Sequence, residues 1–293
     1  MTPSELARYA IHLRSTVEHF GVLADRQVTP RSGSTADQEL SEARTLSLAD
    51  GIWGEGRVRT AYQAALMSYT AALDEGLAAA AVLTGGVRTA IPAVVLSRSI
   101  AEVCSQAWWL LESGVGARGR VERLQCLRLR SAIEGERAAE ADGIDRADWP
   151  RYTETQAQVR EYSRKLGLAE PRRDGYVHVC GSQRMPSVSR MVPAMLSEVG
   201  VEGAYNIHSG FAHGEIFALW QGFGHSDDGR LIRPVVNERT LQGAVAVAAR
   251  ALYCAAARLS DLFGLDRPPG RDDWINEHDA VTNHLASNRS EAE

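Results

Sequence analysis

The stretch Asn206-Ile-His-Ser-Gly-Phe-Ala-His-Gly-Glu215 sets two of the eight histidines, a serine, an asparagine and a glutamate inside an otherwise apolar segment, 204–223. Polar groups bound for an apolar interior must find partners there, because an unpaired one costs a few kcal/mol. Several in one short stretch therefore point to a built site. In a helix, Tyr205, Ser209 and His213 fall four apart on one face. His208 lies about 140° round from His213, so both rings reach one small site only if the helix kinks. Gly210 and Gly214 would permit that. His213, with hydroxyls one and two turns before it, is the first choice as general acid or base, and His208 the second. Tyr205, Asn206 and Ser209 are expected to contact a substrate.

Two further segments carry matching chemistry. Arg98, Glu102, Gln106 and Trp109 recur at helical spacing, with Ser105 beside them. Glu102 is the expected acid–base partner of His213, Arg98 a clamp for an anion and Trp109 a pocket wall. The plain alternatives are a buried Arg–Glu pair that orients two helices, and a Trp108-Trp109 pair that fills the core. The segment Arg172-Arg-Asp-Gly-Tyr-Val-His-Val-Cys-Gly-Ser-Gln-Arg184 holds Tyr176, His178, Cys180 and Ser182 between three arginines. It reads as an irregular basic loop, in which His178 and Arg184 would meet a phosphate or carboxylate.

No Walker loop, GxGxxG, GxSxG or HExxH occurs, no Asp-rich helix would hold magnesium for an isoprenoid diphosphate, and no repeated ExxH pairs suggest a di-iron centre. No cofactor is implied. His178, His208, His213 and Glu215 could ligate a metal, but no spacing demands it. The net charge of −5 and pI near 5.9 exclude a general electrostatic grip on nucleic acid and leave room for a local basic patch. The four cysteines are scattered without a CxxC pair, which fits a reducing cytoplasm. The most apolar runs, 78–83 and 91–96, are too short to span a bilayer.

Helical periodicity must position these groups. Helices are expected over 4–17, 55–83, 89–112, 117–141, 148–166, 186–199, 202–222 and 238–263. Residues 24–38 and 171–185 read as loops. A single hairpin is signalled over 224–237 by Asp227-Asp-Gly before Leu231-Ile-Arg-Pro-Val-Val. The fold expected is all-α: one bundle domain of about eight helices, 1–267, with one small β-hairpin, followed by a polar tail, 268–293. The helices 89–112 and 202–222 are the most apolar yet both carry polar stripes, so they should lie side by side at the centre.

Arg98-Ser-Ile-Ala-Glu102 with the following Trp-Trp-Leu-Leu, and then Tyr205…Ser209…His213-Gly214, resemble a group of actinobacterial-type helical proteins similar to the HEPN superfamily. The resemblance covers residues 60–135 and 195–223. It implies a helical bundle that groups Arg98, Glu102, Tyr205, Ser209 and His213, a homodimer, and RNA cleavage by His208 and His213. The superfamily's arginine four to six positions before the histidine is missing ahead of His213. Three readings follow: an enzyme with a His/Glu/Arg site acting on a small, partly apolar or aromatic anionic molecule; an RNA-cleaving or nucleotide-binding protein; and a binding or scaffold bundle.

Overall fold

The computed structural model describes residues 3–25, 29–50, 53–85, 91–145, 154–201, 204–215, 218, 223–225, 232–234, 238–266, 273–274 and 276. Among these are nine helices: α1 (Pro3–Asp25), α2 (Thr35–Asp50), α3 (Glu55–Thr84), α4 (Ile91–Leu110), α5 (Gly116–Ala141), α6 (Gln156–Lys165), α7 (Val188–Ser197), α8 (Ala204–Ala212) and α9 (Glu238–Phe263). The fold is all-α, a helical bundle with two small antiparallel β elements. The expected hairpin is present, pairing β4 (Phe223–His225) with β5 (Ile232–Pro234).

The central position falls to α4, which packs against α3, α9, α7 and α8. Its inner face is made of small and branched residues, among them Ala93, Val94, Ser97, Ile100, Ala101 and Cys104. The facing side of α3 is small as well, with Ala61, Ala65, Ala72, Ala79 and Ala80 buried, so the helices approach closely. α1 lies against α3 and α9. A Cβ at Gly76 would stand 2.6 Å from Val17 Cγ2, so the bare glycine admits α1 there. Two helices, 55–84 and 238–263, are long and apolar enough by composition to cross a membrane, but 78% of the most apolar window of the second is buried within the protein. Trp274, in the segment expected to be a polar tail, stacks on Tyr253 with ring centroids 4.6 Å apart.

Four expectations about elements change. The stretch 24–38 is not all loop: α1 runs to Asp25 and α2 begins at Thr35, where Ala36, Leu40 and Ala43 supply a buried i, i+4, i+7 face. The segment 171–185 is a three-stranded sheet, β1 (Arg172–Asp174), β2 (Val177–Cys180) and β3 (Gln183–Met185), packed on α5. Its strands are three or four residues long, too short to show alternation against the charged background. α6 starts at Gln156 behind a capping box of Thr155 and Gln158; the expected start at Asp148-Trp-Pro150 lies outside the described residues. α8 ends at Ala212, followed by Gly214 at φ 70°, a left-handed stop, rather than continuing to 222.

The end of α4 is tied down by a fully buried ion pair. Arg120 Nε and Nη2 donate to Glu39 Oε2 and Oε1 at 3.0 and 2.7 Å. The same guanidinium caps α4 by donating to the carbonyls of Leu110 and Glu112. Tyr62 donates its hydroxyl to Glu39 Oε2 at 2.7 Å, and burial, then Glu39, raise its pKa above the ordinary value. The network joins α2, α3, α4 and α5, and with its partners satisfied the buried charge is tolerated. The sheet is anchored separately. Glu122 of α5 accepts from Ser182 N at 3.2 Å, and Gly181 between β2 and β3 holds φ 56° where a Cβ would meet that carboxylate at 2.2 Å. Only glycine fits both demands.

Candidate functional site

The three segments singled out by residue type converge on one open cleft of about 390 Å³. Arg98 and Glu102 enter it from α4, Arg130 and Glu134 from α5, and Arg173, Tyr176 and His178 from the sheet. Ser187, Val188 and Ser189 arrive at the start of α7, while Tyr205, Ser209 and His213 come from α8 and its end. Packing of α4 on α8 and of α5 on β2 builds the walls.

At the α4–α8 wall the polar groups satisfy one another. Arg98 Nε donates to Glu102 Oε1 at 2.6 Å, and Tyr205 Oη donates to the same oxygen at 3.0 Å. Burial, and then the neighbouring Glu102, raise the pKa of the Tyr205 hydroxyl. Glu102 Oε2 takes no hydrogen bond among the described residues. His213 lies just beyond the last residue of α8, where its amide donates to the Ser209 carbonyl at 3.1 Å, and its side chain is exposed at the rim. The face Tyr205, Ser209, His213 therefore opens on the cleft as the spacing requires.

His208 does not join it. The ring is 2% exposed and packs between α4 and α9, with Nδ1 3.2 Å from Ser97 Oγ. Ser97 directs its one proton to the Val94 carbonyl at 2.8 Å, so its oxygen accepts from Nδ1–H and the neutral ring carries its proton there. Nε2 faces Gly243, where an added Cβ would stand 3.7 Å away. Burial pushes the pKa down to about 4. The 140° that separates His208 from His213 thus places one ring in the core and the other at the cleft, and no kink brings them together.

Trp109 is also elsewhere. It is 5% exposed in the core, under the Arg123 guanidinium at 4.8 Å, and lines no part of the cleft. Asn206 is exposed on α8 outside the cleft lining. Sheet register sorts the arginines. Arg173 pairs with His178, and both face the cleft. Arg172 and Arg184 both pair with Val179 and so lie on the opposite face, where Arg184 bonds Asp174 at 3.3 Å. Cys180 is buried against the Ala169 carbonyl, and burial raises its thiol pKa to about 12, so it is no nucleophile at neutral pH.

Arg130 and Glu134 were not legible as site residues. On the charged face of α5 they look like their solvated neighbours, and only the sheet folding over that helix turns them into a wall. Among the described residues, no group of three His, Cys, Asp or Glu side chains is arranged to hold a metal. No family model matches the chain, and neither the curated proteins nor the solved structures give a significant match.

Proposed function

We propose that the cleft is the working site of an enzyme acting on a small molecule that carries an anionic group, with His213 as its general acid or base. The observation that carries this reading is the convergence of Arg98, Glu102, His178, Tyr205, Ser209 and His213, drawn from three distant segments, on one cleft of about 390 Å³. That volume lies within the range of roughly 300–1,000 Å³ usual for small-molecule sites. His213 is the one cleft histidine at the open rim, where it can exchange a proton with a ligand and with water. Glu102 is oriented by Arg98 and Tyr205 through one oxygen, which leaves the other to accept a substrate proton or hydroxyl. Tyr176, 81% exposed at the mouth, offers an aromatic face to the apolar part of a ligand.

The test is a thermal-shift screen of small aromatic and aliphatic carboxylates and phosphate esters, followed by histidine NMR with the best stabiliser. Binding should move the His213 ring resonances and leave those of His208 in place. For any turnover found, His213→Gln should lose ~10²-fold or more, the scale of a general base, while keeping its melting temperature. A His213→Gln protein of full activity would remove this residue from the reaction.

A further inference from the structure

One corner of the cleft gathers positive charge that the protein leaves unanswered. Arg130 Nη1 is buried and has no hydrogen-bond partner among the described residues. The nearest acidic residue on its own helix, Glu134, is paired with Arg137 at 3.0 Å. The side chain of Arg173, opposite His178 in the sheet, bonds only the Gly175 carbonyl among the described residues, at 2.8 Å. Among the described residues neither guanidinium has a carboxylate within ion-pair distance, although Glu134 also lines the cleft, whereas Arg98 has Glu102. Beside them in the cleft lies His178, 8% exposed, whose ring makes no hydrogen bond among the described residues. Its pKa is held below the ordinary value first by burial and then by Arg130 and Arg173, whose positive field outweighs the opposing Glu134 carboxylate.

The start of α7 adds to this. Ser187 stands at the N-cap but makes no capping hydrogen bond; its hydroxyl lies 2.9 Å from that of Ser189 instead. The amides of Val188 and Ser189 are thus uncapped among the described residues, at the positive end of a ten-residue helix, and both residues line the cleft.

We infer that this corner is a subsite for a phosphate monoester dianion, held by Arg130, Arg173, His178 and the first amides of α7. The inference rests on the reading of the cleft as a small-molecule site and names the anionic group that the site takes. Charge decides the class. Two uncompensated guanidiniums balance a group carrying close to two negative charges, and a carboxylate supplies one. Geometry agrees, since three phosphoryl oxygens can meet donors arriving separately from α5, β1, β2 and α7, whereas a carboxylate presents two oxygens in one plane. Arg98 and Glu102, already paired, then face the organic part of the molecule and not its charge.

The experiment titrates inorganic phosphate, and separately acetate, into the full-length protein at constant ionic strength, by calorimetry and by histidine NMR. Phosphate should bind at least ~10-fold more tightly than acetate, and bound phosphate should raise the pH midpoint of His178 by reversing its field. Arg130→Gln should weaken phosphate binding by ~10-fold or more, the loss of one charge-assisted hydrogen bond. Arg173→Gln, on an exposed strand, tests the same point without touching the core. Acetate matching phosphate, or both variants binding phosphate as the wild type does, would overturn the subsite. His213→Gln should still bind phosphate. If that variant keeps full turnover while phosphate affinity depends on Arg130, the acid–base reading fails and the subsite stands.

Discussion

Tyr205 Oη donates to Glu102 Oε1 across 3.0 Å, joining α8 to α4 between residues 103 positions apart. Arg98 Nε reaches the same oxygen from one turn away, so two donors from two helices share one acceptor. This bond fixes the wall of the cleft on which His213 is carried. Tyr205→Phe keeps the ring and removes only the hydroxyl. It should cost ~1 kcal/mol in urea unfolding, the usual net worth of one such bond. A double-mutant cycle with Glu102→Gln should show coupling of ~0.5 kcal/mol or more. Strict additivity would show that the two groups meet without holding the helices together.

Glu102 lines the cleft from α4 and His213 from just past the end of α8, without a hydrogen bond between them. If they move one proton between them and the substrate, Glu102→Gln should reduce turnover on the scale of His213→Gln. The double variant should then be little worse than either single one, as for groups that act as a unit. Rate losses that multiply would show two independent roles. The comparison is read from kcat, with melting temperatures of all three variants taken as a control for folding.

His208 should give stability a pH dependence. Its folded pKa of about 4 lies below the ordinary value of 6.5, so over that interval the unfolded chain binds a proton that the folded chain does not. Stability is then fully present above pH 6.5 and is lost as pH falls toward 4, by about 3 kcal/mol in total. His178, shifted in the same direction, adds to the slope. Denaturant melts of the wild type and of His208→Gln between pH 4 and 7 measure this. Whatever its overall stability, the variant's curve should be flatter; an unchanged slope would rule His208 out as the source.

The Glu39–Arg120 pair offers a test of how α4 is held. Both side chains are 3% exposed or less. Glu39→Gln leaves a buried guanidinium without its counter-charge and should cost ~3–5 kcal/mol. Replacing both, as Glu39→Met with Arg120→Met, should recover part of the pair's cost, although the carbonyls of Leu110 and Glu112 lose their cap. A double variant as unstable as Glu39→Gln would assign the loss to the uncapped helix end and not to the unpaired charge.

The sequence by itself determined the helices and the helical faces. Apolar periodicity in 55–84, 91–110, 116–141 and 238–263 is long enough to set both type and extent, and the four-residue spacing of Tyr205, Ser209 and His213 sets which side chains point together. The same spacing turned His208 away from His213. Short elements escaped, because three- and four-residue strands and a 16-residue helix of low apolar content carry little periodic signal. What tertiary structure alone decided was which polar groups end without partners. Arg130 on α5 has the same local sequence character as the solvated arginines near it, and its nitrogen, buried and unbonded among the described residues, lies where the β1–β3 sheet packs on that helix. Trp109 entered the core and Arg184 turned from the cleft for a like reason. Which face of an element is covered depends on neighbours distant in the chain, and local spacing carries no record of them.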